Sequence, residues 1–137
     1  MKIEYLPHTA DIRMRIQGNG LEDLFRAGVL GMGNILKEGI CDQEHIFDRK
    51  AEIEIVAADP TCLLIDFLSE VLSHSYTEKS VFCKVKFLGL SSVKGVAEIY
   101  GKKVDGFDEE IKAVTYHEAE VHNSGIGGLQ TMVVFDI

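Results

Sequence analysis

No apolar run in the 137 residues approaches the roughly 18 that a helix needs to span a bilayer. That excludes a membrane-spanning helix, and a soluble chain with no membrane partner is expected. The opening MKIEYLPHTADI carries one early lysine, then acidic and polar residues where an export signal needs an apolar stretch of about 7–15 residues. Cytoplasmic location is the expectation. Cysteine is scarce: Cys41, Cys62 and Cys83 leave an odd one over, and none forms a C-x-x-C pair. A disulfide framework and a zinc knuckle are therefore not indicated, and reduced, mostly buried thiols are expected.

Basic charge is also short, with 14 Lys+Arg against 22 Asp+Glu and a net charge of −8. A protein that grips a phosphate backbone usually has the opposite balance. Strong direct nucleic-acid binding is disfavoured, and cations or a basic protein partner are favoured. The sequence has no phosphate loop of the form G-x-x-x-x-G-K-[ST], no G-x-G-x-x-G after a strand and no G-x-S-x-G elbow. A nucleotide site of its own is not expected.

What is present is enough hydrophobic residue, 46%, for one packed core, so residues 1–137 are expected to form a single domain. Ile12, Met14 and Ile16 alternate with Asp11, Arg13, Arg15 and Gln17, the pattern of a half-buried strand. Asn19 and Glu22 have the spacing of a capping box, ahead of a 3.6-residue apolar period from Leu21 to Leu36. Gly28, Gly31 and Gly33 each cost that helix about 1 kcal/mol relative to alanine, which makes its second half less secure. A loop over 40–50 leads to a strand around Glu52–Ile55. Asp59-Pro60 then starts a second helix, whose stripe is Leu63, Leu64, Phe67, Leu68, Val71 and Leu72. Val81 to Tyr100 reads as one antiparallel hairpin turning at Gly89–Ser92, and Ile111–Val121 with Leu129–Ile137 as a second. The order predicts an α+β fold: a two-layer sandwich with two helices on one face of a largely antiparallel mixed sheet of about six strands.

Two carboxylates stand out by their surroundings. Asp136 sits in the apolar stretch Met132–Ile137, beside the terminal carboxylate of Ile137. It is either a solvated chain end or one oxygen donor for a hard cation such as Ca²⁺ or Mg²⁺. Asp11 enters the first strand from Pro7-His8-Thr9-Ala10, where its carboxylate either satisfies nearby backbone groups or joins a site with His8 and Thr9. Lys112, on the late strand with Val114 and Tyr116, is either solvated or a donor beside an acidic cluster. His117 lacks the i, i+4 partner of a helical zinc site. Asp66 and Glu70 are a like-charge i, i+4 pair expected on a solvated helix face.

These residues fall into four segments: Tyr5-x-x-His8-Thr9-Ala10-Asp11-Ile12, Leu63-Leu64-x-x-Phe67-Leu68-x-Glu70, Ile111 to His117, and Val134-Phe135-Asp136-Ile137. Together they resemble the archease family from about residue 4 to the last residue. The resemblance implies a non-enzymatic activator of the RtcB-type RNA ligase of tRNA splicing and RNA repair, which speeds metal-dependent transfer of GMP from GTP to the ligase histidine. Carried over by position, it implies a site for a divalent ion, Ca or Mg/Mn, at Asp11, Asp136 and Ile137, with Lys112 as the functional lysine. His8, Thr9 and Glu70 match motif positions in supporting roles. Two other classes stay open: a metal-dependent phosphoester hydrolase with His8 or His117 as base, and a general chaperone or adaptor acting through an exposed apolar patch.

Overall fold

A computed structural model describes residues 1–7, 10–43 and 46–137. Its elements run β1 (Lys2–Leu6), β2 (Asp11–Gly18), α1 (Leu21–Leu36), a 3-10 turn (Ile40–Asp42), β3 (Arg49–Val56), α2 (Pro60–Glu78), β4 (Ser80–Leu90), β5 (Lys94–Lys103), β6 (Ala113–Thr115), β7 (His122–Asn123) and β8 (Leu129–Asp136). The fold is α+β, as the order of elements predicts.

The strands divide into two antiparallel sheets rather than one. The first has the order β1-β2-β8-β6, with β7 pairing the other half of β8, and the second has the order β3-β5-β4. Alternation in sequence marks which side of a strand is apolar but not which strand lies beside it, so the split is a tertiary outcome. Each helix touches both sheets: α1 meets β2 and β4, and α2 meets β3, β4, β5 and β6. Contact on several sides explains why α1 buries residues most of the way round, from Leu24 to Leu36.

Phe25 of α1, Phe67 of α2 and Phe87 of β4 form a triangle at the centre, with ring centroids 5.4, 6.0 and 5.9 Å apart. Each such pair contributes about 1 kcal/mol beyond simple burial. The glycines of α1 do not fray its second half, because they permit close packing. A Cβ on Gly31 would collide with the sulfur of Met14, and one on Gly28 would press on Leu68 at 3.2 Å. Backbone entropy is lost there, but core contact offsets it.

The helix starts differ in how they are capped. Asp59 accepts the Cys62 N–H at 2.8 Å with Pro60 at the first helical position, as its sequence predicts. The Asn19/Glu22 capping box does not form. Gly20 is the N-cap, and Asp23, one residue later than expected, accepts the Asn19 N–H at 2.9 Å.

Two further expectations are corrected. Cys41 and Cys83 are joined in a disulfide across a sequence separation of 42, and Cys62 is the free cysteine. The late strand over Ile111–Val121 is interrupted after Thr115. Tyr116 turns away to donate its hydroxyl to Asp66, and Glu118 takes a left-handed φ of 58°. Ala119 N–H closes the turn on the Tyr116 carbonyl at 3.1 Å. Threonine hydroxyls then stand in for the ladder: Glu120 N–H donates to Thr131 Oγ1 and Val121 N–H to Thr61 Oγ1, both at 2.9 Å.

Candidate functional site

The β2–β8 ladder puts Asp11 directly opposite Asp136, and the β6–β8 ladder puts Ala113 directly opposite Asp136 on its other side. Residues in direct register project from the same face of a sheet, with Cβ atoms about 4.5–5.5 Å apart. The two carboxylates therefore stand side by side at one end of the first sheet. The same ladder buries the alternate residues, Ile12 against Phe135 and Met14 against Val133, so slipping the register would cost core burial. Asp136 is exposed and Asp11 half-buried.

Lys112 reaches the pair through its main chain, donating its N–H to the Asp136 carbonyl at 2.7 Å. The preceding residue is clamped from α2: the Tyr76 hydroxyl donates to the Ile111 carbonyl and accepts the Ile111 N–H, each at 2.7 Å. Burial pushes the Tyr76 phenol up from its ordinary value, and the hydrogen bond to Ile111 opposes that shift. Lys112 also lines a groove of about 330 Å³ between α2 and β6, with Ser69, Leu72, Ser73 and Tyr76. It thus belongs to a different recess from the one that Asp11 borders.

Asp11 borders a groove of about 380 Å³ between the first sheet and the end of α1, shared with Tyr5, Asn34, Glu38, Asp108 and Glu109. Tyr5 donates its hydroxyl to the Gly31 carbonyl at 2.8 Å, and its phenol is raised by burial first, with Asp42 adding to the shift and Asn34 opposing it. Asp108 accepts the Glu38 N–H at 2.9 Å and pairs with Lys37 at 3.6 Å, so it closes the end of α1. On the open face of the sheet, Arg13 makes a two-pronged ion pair with Glu118, at 3.0 and 2.7 Å. Its pKa is raised mainly by that hydrogen bond, and more weakly by the charges of Glu118 and Asp11.

His8 and Thr9 lie outside the described residues. Glu70 is exposed on α2, an element apart from the aspartate pair, and Asp66 is engaged by Tyr116 rather than merely solvated. His117 lies beyond the end of β6, exposed, with its N–H on Thr115 Oγ1 at 3.3 Å. Among the described residues, no three His, Cys, Asp or Glu side chains are grouped closely enough to hold a metal ion. The donor chemistry of Asp11 and Asp136 nonetheless suits a hard cation that takes further oxygens from main chain, water or a partner. Tyr76 had no mark in the sequence, because it acts through a contact 35 residues away, whereas Tyr5 stood in the opening motif without an assigned role.

The model of the archease protein family (MTH1598/TM1083) matches residues 3–137. The chain belongs to the archease family. It is 35% identical over 145 residues to the protein archease of Methanosarcina mazei, covering 99% of this chain and 96% of that one. With the protein archease of Pyrococcus abyssi it shares 30% over 142 residues, covering 98% and 97%. Among solved structures it is similar to protein 1598 of Methanobacterium thermoautotrophicum, with a TM-score of 0.75, 27% identity and 98% coverage of both chains. An archease of Thermotoga maritima, described as a possible chaperone, has the same fold at a TM-score of 0.62 and 24% identity, covering 100% and 98%. No helix of this archease-family chain is long and apolar enough to cross a membrane, among the described residues.

Proposed function

We propose that this protein is not itself an enzyme but activates an RtcB-type RNA ligase of tRNA splicing and RNA repair in the cytoplasm. The observation that carries this reading is the direct register of Asp11 with Asp136 at one end of the sheet. In this reading the carboxylate pole enters the ligase active site and promotes guanylylation of the ligase histidine. Asp11 and Asp136 present the oxygens, Ile137 adds a main-chain oxygen, and the Lys112 N–H fixes the main chain that carries Asp136. A divalent ion, Ca or Mg/Mn, held at that pole would supply positive charge opposite the nucleotide phosphates. The net charge of −8 suits a basic, RNA-handling protein partner better than RNA itself.

Two assays with purified protein test the reading. Added to an RtcB-type ligase with GTP and Mn²⁺, the chain should speed formation of the ligase–GMP adduct. Incubated alone with phosphoester substrates, it should show no turnover. Turnover by the chain alone, lost on Asp136→Ala, would replace the activator with a metal-dependent hydrolase. Stimulation that survives neutralising both aspartates would leave only a general chaperone role.

A further inference from the structure

The bond between Cys41 and Cys83 ties the 3-10 turn that follows α1 to strand β4. Space for it is left by Gly33: a Cβ there would lie 3.1 Å from the Cys41 sulfur and 3.2 Å from Val81. The bond is therefore inlaid between α1 and β4 rather than draped over the surface. Its two ends differ in burial, Cys83 being buried and Cys41 half-buried, so Cys41 is the end nearer to solvent.

The tied turn directly follows the end of α1 and Glu38, which form one wall of the groove beside Asp11. Asn34 and Glu38 line that groove, and Asn34 accepts the Gly39 N–H at 3.1 Å just before the turn begins. Gly39 bends the chain at φ 77°, and the turn itself is closed by two main-chain bonds of 3.2 Å, Ile40 to Lys37 and Asp42 to Gly39. Asp42, next to Cys41, adds its charge to the causes that raise the Tyr5 phenol. The third cysteine, Cys62, lies on α2 with its thiol toward Asp59, and it takes no part in the pair.

We propose that Cys41 and Cys83 are a reversible redox modification site that fixes the turn after α1 and, through it, the end of α1 that walls the Asp11 groove. In the oxidising step the two thiols together give up two protons and two electrons to a low-molecular-weight disulfide. The Cys41–Cys83 bond forms, the small disulfide breaks, and two molecules of the small thiol are released. The reverse step restores both protein thiols. Oxidised, the wall is held covalently; reduced, it is left to non-covalent ties, among them the two long turn bonds, the Asn34–Gly39 bond and the Asp108 contact.

The test needs no ligase and so stands apart from the proposed activity. The full chain is equilibrated in reduced and oxidised glutathione at a series of ratios, denatured, alkylated and weighed. One alkylated cysteine at the oxidising end and three at the reducing end, interconverting in both directions, is the expected result. Three at every ratio, or one at every ratio, overturns the proposal. Hydrogen exchange of the oxidised and reduced forms and of Cys83→Ser then reads the wall. Protection over residues 34–42 should fall about tenfold or more on reduction, and equally in Cys83→Ser, while α2 and β8 keep theirs. Equal protection in both forms, or loss across the whole chain, contradicts a local lock.

Discussion

Asp11 and Asp136 face each other across neighbouring strands although they come from opposite ends of the sequence. The pairing is enforced by the core beneath it, where Ile12 meets Phe135 and Met14 meets Val133. Two like charges directly opposite on a sheet are unfavourable unless a cation or a partner uses them. Direct opposition at a sheet end is what sets the pair apart from ordinary surface carboxylates.

Tyr76 is expected to matter through the main chain it holds. Tyr76→Phe leaves the Ile111 N–H and carbonyl without their partner hydroxyl next to Lys112. A loss of about 1–3 kcal/mol in stability should appear in urea denaturation. Ligase stimulation should fall in this variant while Ser69→Ala, in the same groove, leaves it unchanged.

Tyr116 gives the fold a pH dependence at the alkaline end. Its hydrogen bond to Asp66, then burial, then the Asp66 charge push its phenol from 10.0 up to about 12. A raised folded-state pKa means the stabilisation is fully present below pH 10 and is lost as pH rises toward 12. The melting temperature of the wild type should exceed that of Tyr116→Phe at pH 9, and the difference should shrink through that window. Comparison with the phenylalanine variant removes the contributions of Tyr5, Tyr76 and Tyr100, whose phenols are also raised.

Gly101 is a position where a single methyl group should be costly. It lies opposite Phe82, beside the bulge between Phe82 and Lys84, and an added Cβ would strike the Val81 carbonyl and sit 2.9 Å from the Phe82 Cα. Backbone atoms of a paired strand cannot move aside as a flexible side chain can. Gly101→Ala should lose about 3 kcal/mol in chemical denaturation. Gly106→Ala, with open space around it, should be close to neutral.

Local signals carried the parts of the fold that depend on local physics. The α2 helix was legible because Asp59-Pro60 caps it and its apolar stripe keeps helical spacing over its length. The β4–β5 hairpin was legible because its partners are close in sequence. The division into two sheets was not, since nothing in β2 or β3 alone says which strand pairs with it. The break after Thr115 was hidden for the same reason: it depends on Asp66 drawing Tyr116 out of line and on Arg13 holding Glu118. The Cys41–Cys83 bond left no trace in an odd count of three cysteines. At the site, the candidate residues were visible one by one, whereas the meeting of Asp11 with Asp136 rests on ladder register between the first long strand and the last.

The most direct measurement is single-turnover formation of the ligase–GMP adduct with wild type, Asp11→Asn and Asp136→Asn under identical GTP and Mn²⁺. Asparagine keeps the size and removes the charge, so circular dichroism and melting should stay close to wild type. Stimulation should fall about tenfold or more in each variant, with the double variant no worse than the more damaged single one. Full stimulation by a folded Asp11→Asn or Asp136→Asn protein would contradict it.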